Sequence, residues 1–237
     1  MATEPLLDVR NITAGYGSTP ILRGIDLAIQ PSEIVAVIGR NGVGKTTMMR
    51  SLIGQLRVWQ GSIKLNGREI SALPPERRAQ NGIGYIPQGR EVFPRMTVEE
   101  NLAIGEMINH NRGRKLYDLV YGYFPILAER KRQAAGTMSG GQQQQLAIGR
   151  ALIGNPDLLL LDEPSEGIQP SIIEEIAKVM QTINKDLGTT ILFVEQNLDM
   201  IMAMTQRCYV MDKGHIAAEL PSHALADRDV VKRHLQI

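Results

Sequence analysis

The stretch EIVAVIGRNGVGKTTMMRSLIG, residues 33–54, limits what this chain can fold into more than any other. Its first part is a short continuous apolar run, the pattern of a parallel strand buried on both faces. Its last part, KTTMMRSLIG, opens a helical pattern. Between them, GRNGVGKT at residues 39–46 fits G-x-x-x-x-G-K-[ST]. A strand, a glycine-rich loop and a helix N-terminus in that order gather backbone N–H groups and the positive end of a helix dipole around one point. Such a point takes phosphate. Gly39, Arg40, Asn41, Gly42, Val43 and Gly44 form the loop. Lys45 supplies a charge for β- and γ-phosphates, the Thr46 hydroxyl a ligand for Mg²⁺, and Thr47 a contact near the α-phosphate. The bland alternative, a flexible turn with a surface lysine, does not account for the strand before and the helix after.

A second short apolar run, LLLLDEP at 158–164, ends in two carboxylates. Ligands of open α/β sheets sit at the carboxyl ends of the strands. Asp162 is therefore placed to hold Mg²⁺ and Glu163 to polarise an attacking water. The run TTILFVE at 189–195 is a third such strand, and Gln196 and Asn197 follow it directly. Asn197 is a good N-cap for the helical LDMIMAM.

MSGGQQQQLAIGRAL, residues 138–152, holds a helix start with Ser139 as its N-cap and Gly140 and Gly141 exposing backbone N–H groups. This is either an ordinary capped helix or a second phosphate site. One nucleotide does not need two such sites on one subunit, but it does if each site is shared between two subunits.

The remaining pattern is α/β. LLDVRNITAGYG and ILRGIDLAI alternate as two strands around a glycine-containing turn, and GSIKLNG and GIGYIPQ read as further strands. TVEENLAIGEMI carries a capping signature, Thr97 then Glu100. Residues 111–135 suggest helices with one apolar side, with basic clusters Arg112–Arg114–Lys115 and Arg130–Lys131–Arg132 on a solvated face. A short helix is expected at 226–235. With 26 basic and 25 acidic residues, net charge +1, there is no bulk attraction to nucleic acid. The single cysteine, Cys208, excludes an internal disulfide and reads as a buried thiol in a strand. No signal peptide is visible, and no apolar run approaches the ~20 residues that span a bilayer. The four histidines are scattered without metal-ligand spacing.

GRNGVGKTT, Gln88 in YIPQGR, MSGGQ, LLLLDEP, SEGIQP and the strand ending VEQN follow in the order and spacing of ABC-transporter ATPase subunits. The chain resembles that family over essentially its whole length. The resemblance implies an α/β P-loop NTPase core with an N-terminal antiparallel β subdomain and a helical insertion. One domain would span 1–237, with the core from 1–88 and 156–237 and the insertion over about 89–155. It implies ATP and Mg²⁺, and two ATPase subunits packed head to tail, so that Ser139, Gly140, Gly141 and Gln142 meet the partner's nucleotide. By the same resemblance Tyr16 stacks on adenine, Gln88 touches Mg²⁺ and links the site to membrane subunits, and residues 165–168 cross to the opposite site. Met138 stands where leucine is usual, a volume-conserving swap. Gln196 stands where most members carry a histidine that reaches the γ-phosphate. A glutamine amide can donate that bond but cannot titrate.

VEQN and PSEG are similar to the second ATPase of high-affinity branched-chain amino acid importers. GRNGVGKTT with QGREVFPRMTVEENL looks most like importers of urea or short amides. The partners so implied are a second ABC ATPase in a heterodimer, two membrane permeases and, indirectly, a periplasmic solute-binding protein, with no nucleic acid. The place so implied is cytoplasmic and peripheral, on the inner face of the cell membrane. Residues 89–108 would face the permeases, with Phe93 and Met96 exposed. A soluble ABC ATPase of an iron–sulfur assembly scaffold is the rival reading. An exporter with two identical ATPase chains is disfavoured, because Gln196 would leave no histidine in either site.

Overall fold

The computed structural model describes residues 4–108, 116–221, 224, 227 and 229. The cluster Arg112–Arg114–Lys115 and most of the helix expected at 226–235 lie outside the described residues.

The continuous apolar runs become the centre of the molecule. β3 (Ile34–Ile38), β7 (Leu158–Asp162) and β8 (Thr190–Glu195) are buried along their whole length. They run parallel in a six-stranded sheet with β6 (Ile83–Ile86), β9 (Arg207–Asp212) and β10 (His215–Pro221), in the order β10-β9-β3-β8-β7-β6. Only the β9–β10 pairing is antiparallel. Successive side chains of a strand point to opposite faces. Accordingly Ile34, Ala36 and Ile38 join one core with Leu159, Leu161 and Phe193. Val35 and Val37 join the other with Leu158, Leu160 and Val194. Two apolar faces are why these strands read as unbroken runs.

The second core is closed by an antiparallel sheet, β2-β1-β4-β5, formed by β1 (Leu7–Tyr16), β2 (Thr19–Ile29), β4 (Val58–Leu65) and β5 (Arg68–Glu69). The phosphate-loop helix α1 (Lys45–Ile53) packs into the same core through Met48, Met49 and Leu52. Its C-terminal end is gripped by Arg78, on the short helix α2 (Pro75–Gln80). Arg78 is 1% exposed, and its guanidinium donates to the carbonyls of Ser51 (2.7 Å), Leu52 (2.9 Å), Ser71 (2.7 Å) and Leu73 (2.9 Å). Last-turn carbonyls have no intrahelical partner, so the arginine satisfies them. Burial pushes its pKa down to about 10.

The first core is covered by helices. α3 (Val98–Glu106) begins with the expected capping box. Thr97 Oγ1 accepts from the Glu100 N–H (3.2 Å), and Glu100 Oε2 accepts from the Thr97 N–H (2.7 Å). α4 (Tyr117–Tyr123) and α5 (Pro125–Glu129) follow, and then α6 (Gly140–Ile153). Helix α7 (Pro170–Leu187) buries Ile173, Ile176, Ala177, Met180 and Ile183 at helical spacing. α8 (Leu198–Met204) starts at Asn197, whose Oδ1 accepts from the Met200 N–H (2.9 Å). Cys208 is buried, and burial pushes its thiol up to about 12.

Helices α3 and α6 touch where Gly105 faces the end of α6. A Cβ at Gly105 would stand 2.3 Å from the Arg150 carbonyl oxygen and 2.9 Å from Ile153 Cβ. Overpacking of this kind costs about 1–3 kcal/mol. Gly105→Ala is therefore expected to lower the unfolding free energy by that amount, read as a lower urea midpoint at unchanged m-value. A variant as stable as the parent would show that the helices do not approach so closely.

Candidate active site

The register of the central strands sets the site. Ile38 pairs with Glu195, and Asp162 with Val194. The residues that follow β3, β7 and β8 therefore emerge side by side at one sheet edge. The phosphate loop leaves β3 with Gly39 at φ 155°, where a Cβ would meet the Met211 carbonyl oxygen at 2.3 Å. It enters α1 through Gly44 at φ 112°, with no side-chain cap and no acidic residue in the first turn. The first N–H groups of α1 are thus left for an anion.

Lys45 is 4% exposed. Its Nζ donates to the carbonyls of Gly39 (2.8 Å) and Arg40 (3.0 Å) and lies 3.8 Å from Glu163 Oε1. Burial lowers its pKa, and the carboxylates of Glu163, Asp162 and Glu195 oppose that shift. Thr46 Oγ1 donates to Asp162 Oδ1 (3.1 Å), and Tyr85 Oη lies 3.5 Å from Asp162 Oδ2. Asp162 is pushed up to about 6, chiefly by burial; the Thr46 hydrogen bond pulls the other way and the Glu163 charge adds to the rise. A hydroxyl and an under-compensated carboxylate in contact are oxygen donors suited to a hard cation.

Glu163 has φ 48°, the left-handed region for a residue with a Cβ. Such a conformation costs about 1–3 kcal/mol. It persists because the Glu163 N–H is bonded to the Val194 carbonyl (3.0 Å) and the side chain is held at both oxygens. Oε1 accepts from Gln196 Nε2 (2.9 Å), and Oε2 from Gln88 Nε2 (3.4 Å). Gln196 Nε2 also donates to Asn41 Oδ1 (2.6 Å). Gln196 thus points at the Glu163 carboxylate and at the phosphate loop.

Tyr16, Asn41, Lys45, Thr46, Gln88 and Glu163 line one cleft of ≈ 440 Å³. Tyr16 is half-exposed there, its Oη accepting from Arg50 Nη1 (3.3 Å). Ser139 and Gln142 do not line it. They form a capping box on α6, in which Gln142 Oε1 accepts from the Ser139 N–H (3.0 Å). Gly141 packs on Ile172 and Ile168, and Gly140 faces the Arg90 guanidinium and the Gly167 carbonyl. The second glycine-rich helix start therefore stands apart from the first.

Several residues of the site carry no sequence signal strong enough to have singled them out. Buried Glu195 accepts from the N–H groups of Gln196 (2.7 Å), Asn197 (2.9 Å) and Ser165 (3.1 Å), tying β8 to the loop after Glu163. Its only clue was an acid at the end of an apolar strand. The turn after Gln88 has positive φ at Gly89, Arg90 and Glu91. Arg150 holds it by donating to the Glu91 carbonyl (2.9 Å), and its guanidinium lies 5.2 Å from the Phe93 ring centroid. Arg90 Nη2 donates to the Glu166 carbonyl (2.5 Å). Phe93 is 44% exposed, as expected, whereas Met96 is half-buried and not the exposed residue its sequence context suggested.

The chain is similar to known proteins over nearly its whole length. The pattern of the family described as ABC transporter matches residues 22–166. The high-affinity branched-chain amino acid transport ATP-binding protein BraG of Pseudomonas aeruginosa is 40% identical over 228 residues, 96% of this chain and 97% of that one. The probable branched-chain amino acid transport ATP-binding protein LivF of Archaeoglobus fulgidus is 36% identical over 225 residues, 94% and 95% of the two chains. A solved ATP-binding cassette of an ABC transporter superposes with a TM-score of 0.83 at 27% identity, over 98% of this chain and 100% of that one.

The Asp162 environment sets a pH dependence. A carboxyl raised from 3.8 to about 6 stabilises the fold fully below 3.8 and loses that contribution as pH rises through 6. The loss is about 3 kcal/mol. In nucleotide-free protein with a chelator present, the stability of Asp162→Asn relative to the parent should rise by about that much between pH 4 and pH 7. A difference that stays flat with pH would sink the assignment.

Proposed function

The chain belongs to the ABC transporter family of ATP-binding proteins and is an ATP hydrolase; from that premise we propose that it powers a high-affinity importer for branched-chain amino acids, urea or short amides. The observation that carries the reading is the convergence of Lys45, Thr46, Asp162, Glu163 and Gln196 at one sheet edge beside an uncapped helix start. The names of BraG and LivF support branched-chain amino acids as the solute class.

The loop N–H groups of residues 39–44 and Lys45 bind the triphosphate, Thr47 closes on the α-phosphate, and Tyr16 stacks on the base. Thr46, Asp162 and Gln88 would hold Mg²⁺, which would supply positive charge to offset that of the phosphates. Among the described residues no group of three or more His, Cys, Asp or Glu could hold a metal ion, so most of its ligands would be phosphate oxygens and water. Glu163 takes a proton from the attacking water, and Gln196 and Gln88 hold its carboxylate in place. Ser139, Gly140, Gly141 and Gln142 serve the nucleotide of a second ABC ATPase in a heterodimer. Their separation from the cleft supports this.

No helix among the described residues is long and apolar enough to cross a membrane. Attachment to the inner face of the membrane would run through two permeases fed by a periplasmic binding protein. A groove of ≈ 520 Å³ beside the turn that follows Gln88, lined by Pro75, Glu91, Phe93, Ile104, Met107 and Ile108 among others, is the proposed seat of a permease helix.

Lys45→Ala is expected to fold but to abolish ATP turnover in the purified complex, since its ammonium faces the loop and not the core. Normal turnover would remove the site assignment. Ser139→Arg should leave ATP binding by the isolated chain intact and stop hydrolysis in the assembled dimer. Loss of binding by the isolated chain would contradict a shared site. Copurification with soluble scaffold proteins instead of permeases would replace the importer reading.

A further inference from the structure

The Gln196 amide has a fixed orientation, and the reason is chemical. A carboxylate oxygen can only accept, so the Gln196 atom 2.9 Å from Glu163 Oε1 is Nε2. The same nitrogen lies 2.6 Å from the Asn41 side chain, so the atom Asn41 presents is its acceptor Oδ1. An amide nitrogen carries two hydrogens, and both are now used. Donation to a γ-phosphate would require Gln196 to release one of these partners. Its Oε1 accepts no hydrogen bond among the described residues, and its Nε2 is held between two residues that line the cleft.

We propose that Asn41 is a positioning residue for hydrolysis: it fixes the Gln196 amide so that Gln196 Oε1 and the Glu163 carboxylate together hold the attacking water. The proposal rests on Glu163 as the general base. The water oxygen bonds to the γ-phosphorus as the bond from that phosphorus to the β–γ bridging oxygen breaks. One water proton passes to Glu163. The nucleoside diphosphate leaves with the electron pair of the broken bond. The second proton stays on the transferred oxygen, donated to Gln196 Oε1 while the bond forms. Gln196 then acts as an acceptor toward water, and its donor end serves only to hold it. Position 41, four residues before the first residue of the helix, becomes a determinant of rate and not of nucleotide affinity.

The test is a double-mutant cycle of Asn41→Ala and Gln196→Ala in the assembled transporter, with the partner ATPase site disabled. It is read by single-turnover hydrolysis and by MgATP affinity. Asn41 is exposed, so its truncation leaves the core intact, and circular dichroism checks this. One neutral hydrogen bond corresponds to about a two- to tenfold rate effect. Asn41→Ala should slow hydrolysis by that factor with MgATP affinity within twofold of the parent. In the Gln196→Ala background it should slow it no further. An equal slowing in both backgrounds, a loss carried by affinity, or an unchanged rate would each overturn the proposal. Glu163→Gln separates the two levels of the reading. If it keeps full turnover, the base assignment itself fails; if it is inactive while the cycle shows no coupling, only the role of Asn41 fails.

Discussion

The parallel pairing of β3, β8 and β7 is the constraint on which the rest of the site depends. Each strand contributes one part of the candidate site at its carboxyl end: the glycine-rich loop, Asp162 with Glu163, and Glu195 with Gln196. Ile38 opposite Glu195 and Asp162 opposite Val194 bring these ends level. A one-residue slip would turn every side chain of a strand to the other face, exchanging the two cores. The apolar runs hold the register because both faces are filled, by Ala36, Leu161 and Phe193 on one side and Val37, Leu160 and Val194 on the other. Burying each of these valine, leucine and phenylalanine side chains is worth about 1.5–3 kcal/mol. Precision at the site is thus supplied by apolar packing beneath it.

Above that base the polar groups restrain one another. Glu163 is strained at φ 48° and held at both carboxylate oxygens by two glutamine amides, one from each flanking loop. Lys45 folds back on its own loop and stays within 3.8 Å of the same carboxylate. Glu195 gathers three backbone N–H groups and fixes the loop that carries Glu163. Charged groups at 2–4% exposure, Lys45, Asp162 and Glu195, sit together because each partly neutralises or hydrogen-bonds the next.

The turn after Gln88 is the mechanical counterpart. Three consecutive residues with positive φ are held by Arg150 from α6 and, through Arg90, by the Glu166 carbonyl. The groove beside this turn is lined by α2 and α3 residues, and α2 carries Arg78, which grips the end of the phosphate-loop helix. Gln88, the loop after Glu163 and the start of α6 are therefore joined by named hydrogen bonds and close packing.

The sequence by itself determined the elements and singled out most of the candidate site residues. Glycine spacing, apolar runs and capping residues act over a few residues, so the glycine-rich loop, the Thr97–Glu100 capping box, the Ser139 and Asn197 caps and the buried strands were all legible. It also placed Glu163 and Gln196 at strand ends, because a run of apolar residues can stop in polar ones only at an edge. Which atoms those side chains meet was decided by tertiary structure alone. Gln196 meets Asn41 across 155 positions of the chain, and Arg150 meets Glu91 across 59. Arg77 and Arg78 are neighbours of identical type, yet one is exposed and the other 1% exposed against four carbonyls. Met96 and Phe93 differ in the same way. Local composition carries no information about distant partners. Those partners are fixed when parallel strands, joined by long crossovers, pack their two faces and bring separate loops to one edge.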